Sequence, residues 1–209
     1  QKDRIQDIKK KISNEGILKT ISAINHKMSN PIDLGYSNVG VIEKIGKKII
    51  NFKVGDRVVT NKSHSEFVIS NENFTIKIPN SVTDNDASFA IIGSIALNAL
   101  RIAKVSIGEN CAVIGLGLVG LITAQLLKAA GCNVLGIELD NHKITIAEAL
   151  GIKCINSVND NFDEENEIFT NFTGFDTIFI ATNSKNSEPL NTASLIARKK
   201  GKVVLIGES

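Results

Sequence analysis

The chain has 209 residues, 43% of them hydrophobic and 22% charged, with a formal net charge of +2 and a mean hydropathy of +0.07. That length holds one large domain or one and a half ordinary ones, and the apolar share supports a proper core, which excludes a disordered chain. The small net charge gives no argument for nucleic acid or a membrane surface, and no apolar run reaches the ~20 residues of a membrane helix. With no signal peptide in evidence, the chain reads as cytoplasmic. The three cysteines, Cys111, Cys132 and Cys154, sit in apolar strand contexts without C-x-x-C spacing, so buried reduced thiols are expected.

From the N-terminus, Ile5, Ile8 and Ile12 recur at helical spacing, as do Ile17, Leu18, Ile21 and Ile24, with a break at Asn14-Glu15-Gly16. Residues 1–30 are therefore expected to form an amphipathic helical pair, packed on the core or serving as a lid or partner-binding hairpin. Seven Lys/Arg against three Asp/Glu in that span mark a solvated helical face. Pro31 ends the pattern. A small β-rich unit is expected over 35–80, with strands at Val39–Ile45, after the turn Lys53-Val-Gly-Asp, at Glu66–Ser70 and at Phe74–Ile78. Residues 84–104 return to helix, with Asp84 as its N-cap.

The most informative stretch comes next. An apolar run, Cys111–Ile114, ends in Gly115-Leu116-Gly117-Leu118-Val119-Gly120; a helix pattern follows over 118–130, and a second apolar run ends in Glu138, 18 residues beyond the last glycine. A lone G-x-G-x-x-G is weak, but strand, glycine turn, helix, strand and acid in this order form the dinucleotide-binding fingerprint in its required setting. Gly115 permits the tight turn, Gly117 lets backbone approach a pyrophosphate, and Gly120 lets the helix pack on the strand. The free N–H groups and dipole at the start of the helix, including those of Leu118 and Val119, would hold the phosphates. Glu138 would accept from the ribose hydroxyls and repel a 2′-phosphate, favouring NAD over NADP. The alternative is a glycine turn that only packs a βαβ unit.

Beyond Glu138, strands are expected at 153–156, 176–181 and 202–206 and helices at 141–150 and 187–199, with the acidic segment 157–171 an exposed helix or loop. This alternation implies an α/β fold with a doubly wound parallel sheet. Thr182 and Gly207 fall just past strand ends, where such sheets bind ligands.

Taken in order, these residues resemble the medium-chain dehydrogenase/reductase superfamily, the alcohol dehydrogenase and quinone reductase group. The resemblance runs through Leu34-Gly35, Gly40-Val41-Ile42, Phe52-Lys-Val-Gly-Asp-Arg-Val, Phe67-Val, Lys77-Ile-Pro79, the glycine motif, Leu150-Gly151 and Gly201-Lys-Val-Val-Leu-Ile-Gly207. It implies a partial GroES-like domain over 31–83 and a Rossmann domain over 84–209, ending after its fifth strand, so the chain is expected to be an inactive fragment that exposes apolar surface. Leu34-Gly-Tyr-Ser and Asn14-Glu-Gly-Ile-Leu-Lys-Thr-Ile are similar to a bacterial subgroup of two-module oxidoreductases with a Gfo/Idh/MocA-like second half, which implies a sugar or nucleotide-sugar substrate. A homo-oligomer is a further expectation.

Where zinc alcohol dehydrogenases carry Gly-His-Glu, this sequence has Gly35-Tyr36-Ser37, and His26, His64 and His142 stand apart from carboxylates or thiols at ligand spacing. No zinc is therefore expected. The histidines are read as surface or packing residues. Tyr36 either manages the proton of a hydride transfer or fills the vacated metal cavity. By the same resemblance Ser94 lies near the nicotinamide and Lys143 beside the adenosine. The leading expectation is a zinc-independent, NAD(H)-dependent oxidoreductase; the rival is a non-catalytic dinucleotide-binding or scaffolding module.

Overall fold

The computed structural model describes residues 16, 34–158, 161–184 and 186–206. The expected helical pair over 1–30 and Gly207 lie outside the described residues, Gly16 excepted. Strands β1 (Asn38–Val41), β2 (Arg57–Thr60) and β3 (Thr75–Lys77) form an antiparallel sheet in that order. Val39 stands opposite Val59 in register, and Val59, Ile78 and Ala87 make a small core with Val39, Val82 and Ile91.

Two expectations for this half are corrected. Glu66–Ser70 forms no strand, despite the β-favouring Phe67, Val68 and Ile69. The loop is held by side chains instead: Asn38 Nδ2 donates to the carbonyls of Ser63 (2.9 Å) and Ser65 (3.0 Å), and the Ser70 hydroxyl lies 2.8 Å from that of Thr60. The helix over 84–104 is split into α1 (Asp84–Ala87) and α2 (Ala90–Ala103). Its cap is Thr83, whose hydroxyl accepts from Asp86 N at 3.1 Å, while Asp84 pairs with Arg57.

The remainder follows the expected alternation: β4 (Asn110–Ile114), α3 (Leu118–Ala129), β5 (Asn133–Glu138), α4 (Asn141–Ala149), β6 (Lys153–Asn156), α5 (Phe162–Phe169), β7 (Phe175–Ile180), α6 (Glu188–Ile196) and β8 (Ala197–Leu205). The five strands form one parallel sheet in the order β6-β5-β4-β7-β8. The acidic stretch thus resolves into α5. The helix expected over 187–199 stops at Ile196, because β8 starts early, opposite Phe175, and reaches regular register only after a bulge, with Lys202 opposite Thr177.

Alternation along β4 builds both cores. Cys111 and Val113 meet Ala99, Leu100, Ala124, Leu127 and Ala147 of α2, α3 and α4 on one face. Ala112 and Ile114 meet Phe175, Ala193 and Ile196 on the other, against which Phe162 and Phe169 of α5 also pack. Helices on both faces are what a parallel sheet requires. Strand order reverses between β4 and β7, the switch point where open α/β sheets bind ligands at the strands' carboxyl ends.

Helices α2 and α3 run side by side in the same direction. Ala99, Leu100 and Ala103, late in α2, share a cluster with Ala124, Leu127 and Cys132, late in or just past α3. Ile107, just after α2, lies 3.3 Å from where a Cβ on Gly131 would stand, and Gly131 closes α3. Both N-termini therefore lie at one end, the end of the glycine turn.

Candidate functional site

The glycine turn is built as its spacing requires. Gly115 has φ +91°, and a Cβ there would stand 2.9 Å from the Thr182 Cβ and 3.1 Å from the Thr182 nitrogen. At Gly120 a Cβ would fall 1.9 Å from the Gly115 carbonyl oxygen, so only glycine lets α3 come this close to β4. Gly117 differs: it has φ −72°, and nothing lies within 4 Å of a Cβ built there. Space is left open in front of the start of α3, where the N–H groups of Leu118, Val119 and Gly120 have no carbonyl in the preceding turn. Such a cradle fits the diphosphate of a dinucleotide.

Glu138 ends β5 beside this turn, and its carboxylate is 9% exposed. Oε2 accepts from Leu116 N at 2.8 Å and from Lys143 Nζ at 3.4 Å; Oε1 accepts from Leu139 N at 2.8 Å and Asp140 N at 3.2 Å. Burial by itself would raise its pKa, but the three backbone N–H donors and the Lys143 ammonium outweigh it and hold the carboxyl below its ordinary range. One acid thereby ties the glycine turn to the turn after β5. Asp140 has a separate task, capping α4 by accepting from His142 N at 2.9 Å.

The structure thus brings Gly115, Gly117, Leu118, Val119, Gly120, Glu138, Lys143 and Thr182 to one end of the sheet. Ala181 N donates to Ile114 O at 2.8 Å, which lays the exit of β7 across the glycine turn and sets Thr182 against Gly115.

Tyr36 and Ser94 lie toward the same end through α2. The Ser37 hydroxyl donates to Ser88 O at 2.6 Å, fastening the 35–37 segment just ahead of the start of α2. Tyr36 is 51% exposed. Ser94 is exposed on the second turn of α2, but its hydroxyl donates to Ile91 O at 2.7 Å within the helix. No hydrogen bond joins Tyr36 to Ser94 among the described residues.

His64 is a neighbour that its sequence context conceals. Its N–H donates to Leu34 O at 2.7 Å, and its ring packs on Gly35, where a Cβ would fall 2.3 Å from Nε2. The only sequence signals are Asn38 and Gly35, whose parts in this contact are visible only once the loop is folded. Among the described residues no three His, Cys, Asp or Glu side chains are grouped to hold a metal. Cys111 and Cys132 are buried and Cys154 half-buried, all as free thiols. Burial pushes the Cys111 thiol far up and that of Cys154 to about 11.

Comparison with known proteins agrees with this geometry. A family model described as zinc-binding dehydrogenase matches residues 119–209. L-Idonate 5-dehydrogenase of Vitis vinifera is 25% identical over 96% of this chain and 66% of its own length. D-Guloside 3-dehydrogenase of Shigella flexneri is 34% identical over 69% of this chain and 43% of its own. Among solved structures, alcohol dehydrogenase TADH from Thermus sp. ATN1 superposes with a TM-score of 0.77 at 24% identity, covering 84% of this chain and 62% of that one. The chain therefore spans less than two thirds of the length of these proteins. No helix among the described residues is long and apolar enough to cross a membrane. On these matches the chain belongs to the zinc-type, alcohol dehydrogenase-like family of medium-chain dehydrogenases/reductases.

Proposed function

We propose that this chain is the dinucleotide-binding part of an oxidoreductase that moves a hydride between NAD(H) and a secondary alcohol or ketone of a sugar-like substrate, without zinc. The observation that carries the reading is the cradle at Gly117: open space before a helix N-terminus, closed on one side by the Gly115–Gly120 contact and flanked by Glu138. The diphosphate would lie on the N–H groups of Leu118, Val119 and Gly120, with the adenosine ribose toward Glu138 and Lys143 and the nicotinamide toward Thr182. When bound, the nicotinamide supplies the hydride acceptor or donor. Glu138 would favour NAD over NADP, since its negative charge opposes a 2′-phosphate. Support for the substrate class comes from relatives named for L-idonate, D-guloside, sorbitol and butanediol. Support for zinc independence comes from the donor set around Tyr36.

Calorimetric titration with NADH and NADPH tests the reading, on a sample shown to unfold cooperatively. The expected result is NADH binding tighter than NADPH by about tenfold or more, ~1.4 kcal/mol. A well-folded sample that binds neither nucleotide refutes it and leaves the glycine turn a packing device.

A further inference from the structure

We propose that His64 is the catalytic proton acceptor of this site, taking the hydroxyl proton of the alcohol as its hydride leaves. The inference rests on the oxidoreductase reading above and adds the residue that reading lacks. The loop bearing His64 is fixed at three points to the segment bearing Tyr36. Asn38 Nδ2 holds the carbonyls on both sides of the histidine, Ser63 and Ser65, at 2.9 and 3.0 Å. His64 N is bonded to Leu34 O at 2.7 Å. The ring itself rests on Gly35, whose φ of +69° and missing Cβ make room for it.

Backbone and neighbours are thus committed to placing this imidazole, while the imidazole stays exposed and no hydrogen bond among the described residues uses its ring nitrogens. The nearby hydroxyls differ, since Ser37 and Ser94 both donate to main-chain carbonyls. Tyr36, next to Gly35 in the sequence, is also exposed, but no contact among the described residues fixes its phenol as the loop contacts fix the imidazole. Position agrees. Ser37 ties the segment to Ser88, ahead of α2, and α2 runs parallel to α3, so His64 stands at the end where α3 opens toward the dinucleotide.

The step balances without another reagent. With NAD bound, the alcohol C–H bond would break with its electron pair going to the nicotinamide, the O–H bond would break with its proton going to the His64 imidazole, and C–O would become C=O. The imidazolium then releases its proton to water. The other titratable side chains nearby are Tyr36 on the 34–38 segment and Lys62 and Glu66 on the histidine's own loop.

The test uses the full-length protein that carries this chain, with NAD and, as probe alcohols, sorbitol and 2,3-butanediol, following kcat and KM from pH 5 to 9. His64→Gln is expected to lower kcat by about 100-fold with the KM for NAD unchanged, and to abolish the loss of rate on the acid side. His142→Gln, at the other described histidine, is expected to leave both. Gly35→Ala, which removes no titratable group, is expected to lower kcat by displacing the ring. A His64→Gln protein that keeps kcat and its acid limb overturns the proposal. So does a protein that binds NADH, turns over neither alcohol and shows no shift of the His64 imidazole NMR signals when sorbitol is added to the NADH complex. Loss of NADH binding itself counts against the cofactor reading instead.

Discussion

Replacing Glu138 by glutamine should destabilise the fold before it affects any ligand. The carboxylate offers about four acceptor sites, and Leu116 N, Leu139 N, Asp140 N and Lys143 Nζ occupy them. A glutamine keeps one oxygen and turns an NH2 group toward the N–H donors on the other side. If the oxygen stays with Leu139 and Asp140, Leu116 N is orphaned beside a fully buried side chain. An orphaned buried donor costs about 1–3 kcal/mol, and the bonds that remain lose their charge assistance, so the total is about 2–4 kcal/mol. For a chain of this size that lowers Tm by roughly 5–15 °C. The carboxyl is held below its ordinary range, so its stabilisation is complete above about pH 4.5 and disappears as pH falls through the lower folded value. Urea melts of both proteins at pH 7 and pH 3 read this directly. The gap should be wider at pH 7 than at pH 3. A Glu138→Gln protein within 0.5 kcal/mol of the parent at pH 7 would refute the four-donor cage, since loss of even one buried acceptor costs about 1 kcal/mol or more.

Two glycines in the same turn should separate folding from binding. Gly117→Ala places a methyl group in open space at an ordinary φ, so the melt should stay within about 0.5 kcal/mol while NADH affinity falls more than about tenfold by calorimetry. Gly120→Ala forces a carbon to 1.9 Å from the Gly115 oxygen, and both stability, by about 1–3 kcal/mol, and affinity should drop. Phe179 is fully buried between β4 and the helices, and Phe179→Ala should cost about 3–5 kcal/mol in a urea melt without altering NADH preference in the folded fraction. With Cys111 and Cys132 buried and the Cys154 thiol raised to about 11, a thiol-specific disulfide reagent at pH 8 should react slowly with the native chain and rapidly with all three thiols in urea.

The α/β half was legible because its signals are local. Apolar runs such as Cys111–Ile114 and Val134–Ile137 are buried on both faces, and the glycines and acid recur at distances set by one strand, turn and helix. The β-rich half was less so. Phe67-Val68-Ile69 has strand composition, but a strand needs a partner, and Asn38 with the Thr60–Ser70 pair fixes the loop otherwise. Thr83 took the cap from Asp84 because Arg57, 27 residues earlier, draws the carboxylate away. His64 is the exposed packing residue that was expected, but its contacts with Gly35 and Asn38's hold on its loop arise only through folding. In Glu138 the acid was found but half its work was missed, since backbone N–H groups leave no trace in composition.

The exit of β7 across the glycine turn has a consequence for anyone redesigning this scaffold. Ala181 stands 3.4 Å from a Cβ on Gly120 and Thr182 stands 2.9 Å from one on Gly115, so these two positions act as a wedge between strand and helix. The polar residues that follow, Asn183 and Ser184, are not among the atoms nearest to either glycine, so a loop exchanged from there on leaves the pinch in place. Residues 181 and 182 cannot travel with it, because a graft that enlarges either one moves the phosphate cradle as well. The seam for loop transplantation therefore lies after Thr182, one step later than the end of the strand would suggest.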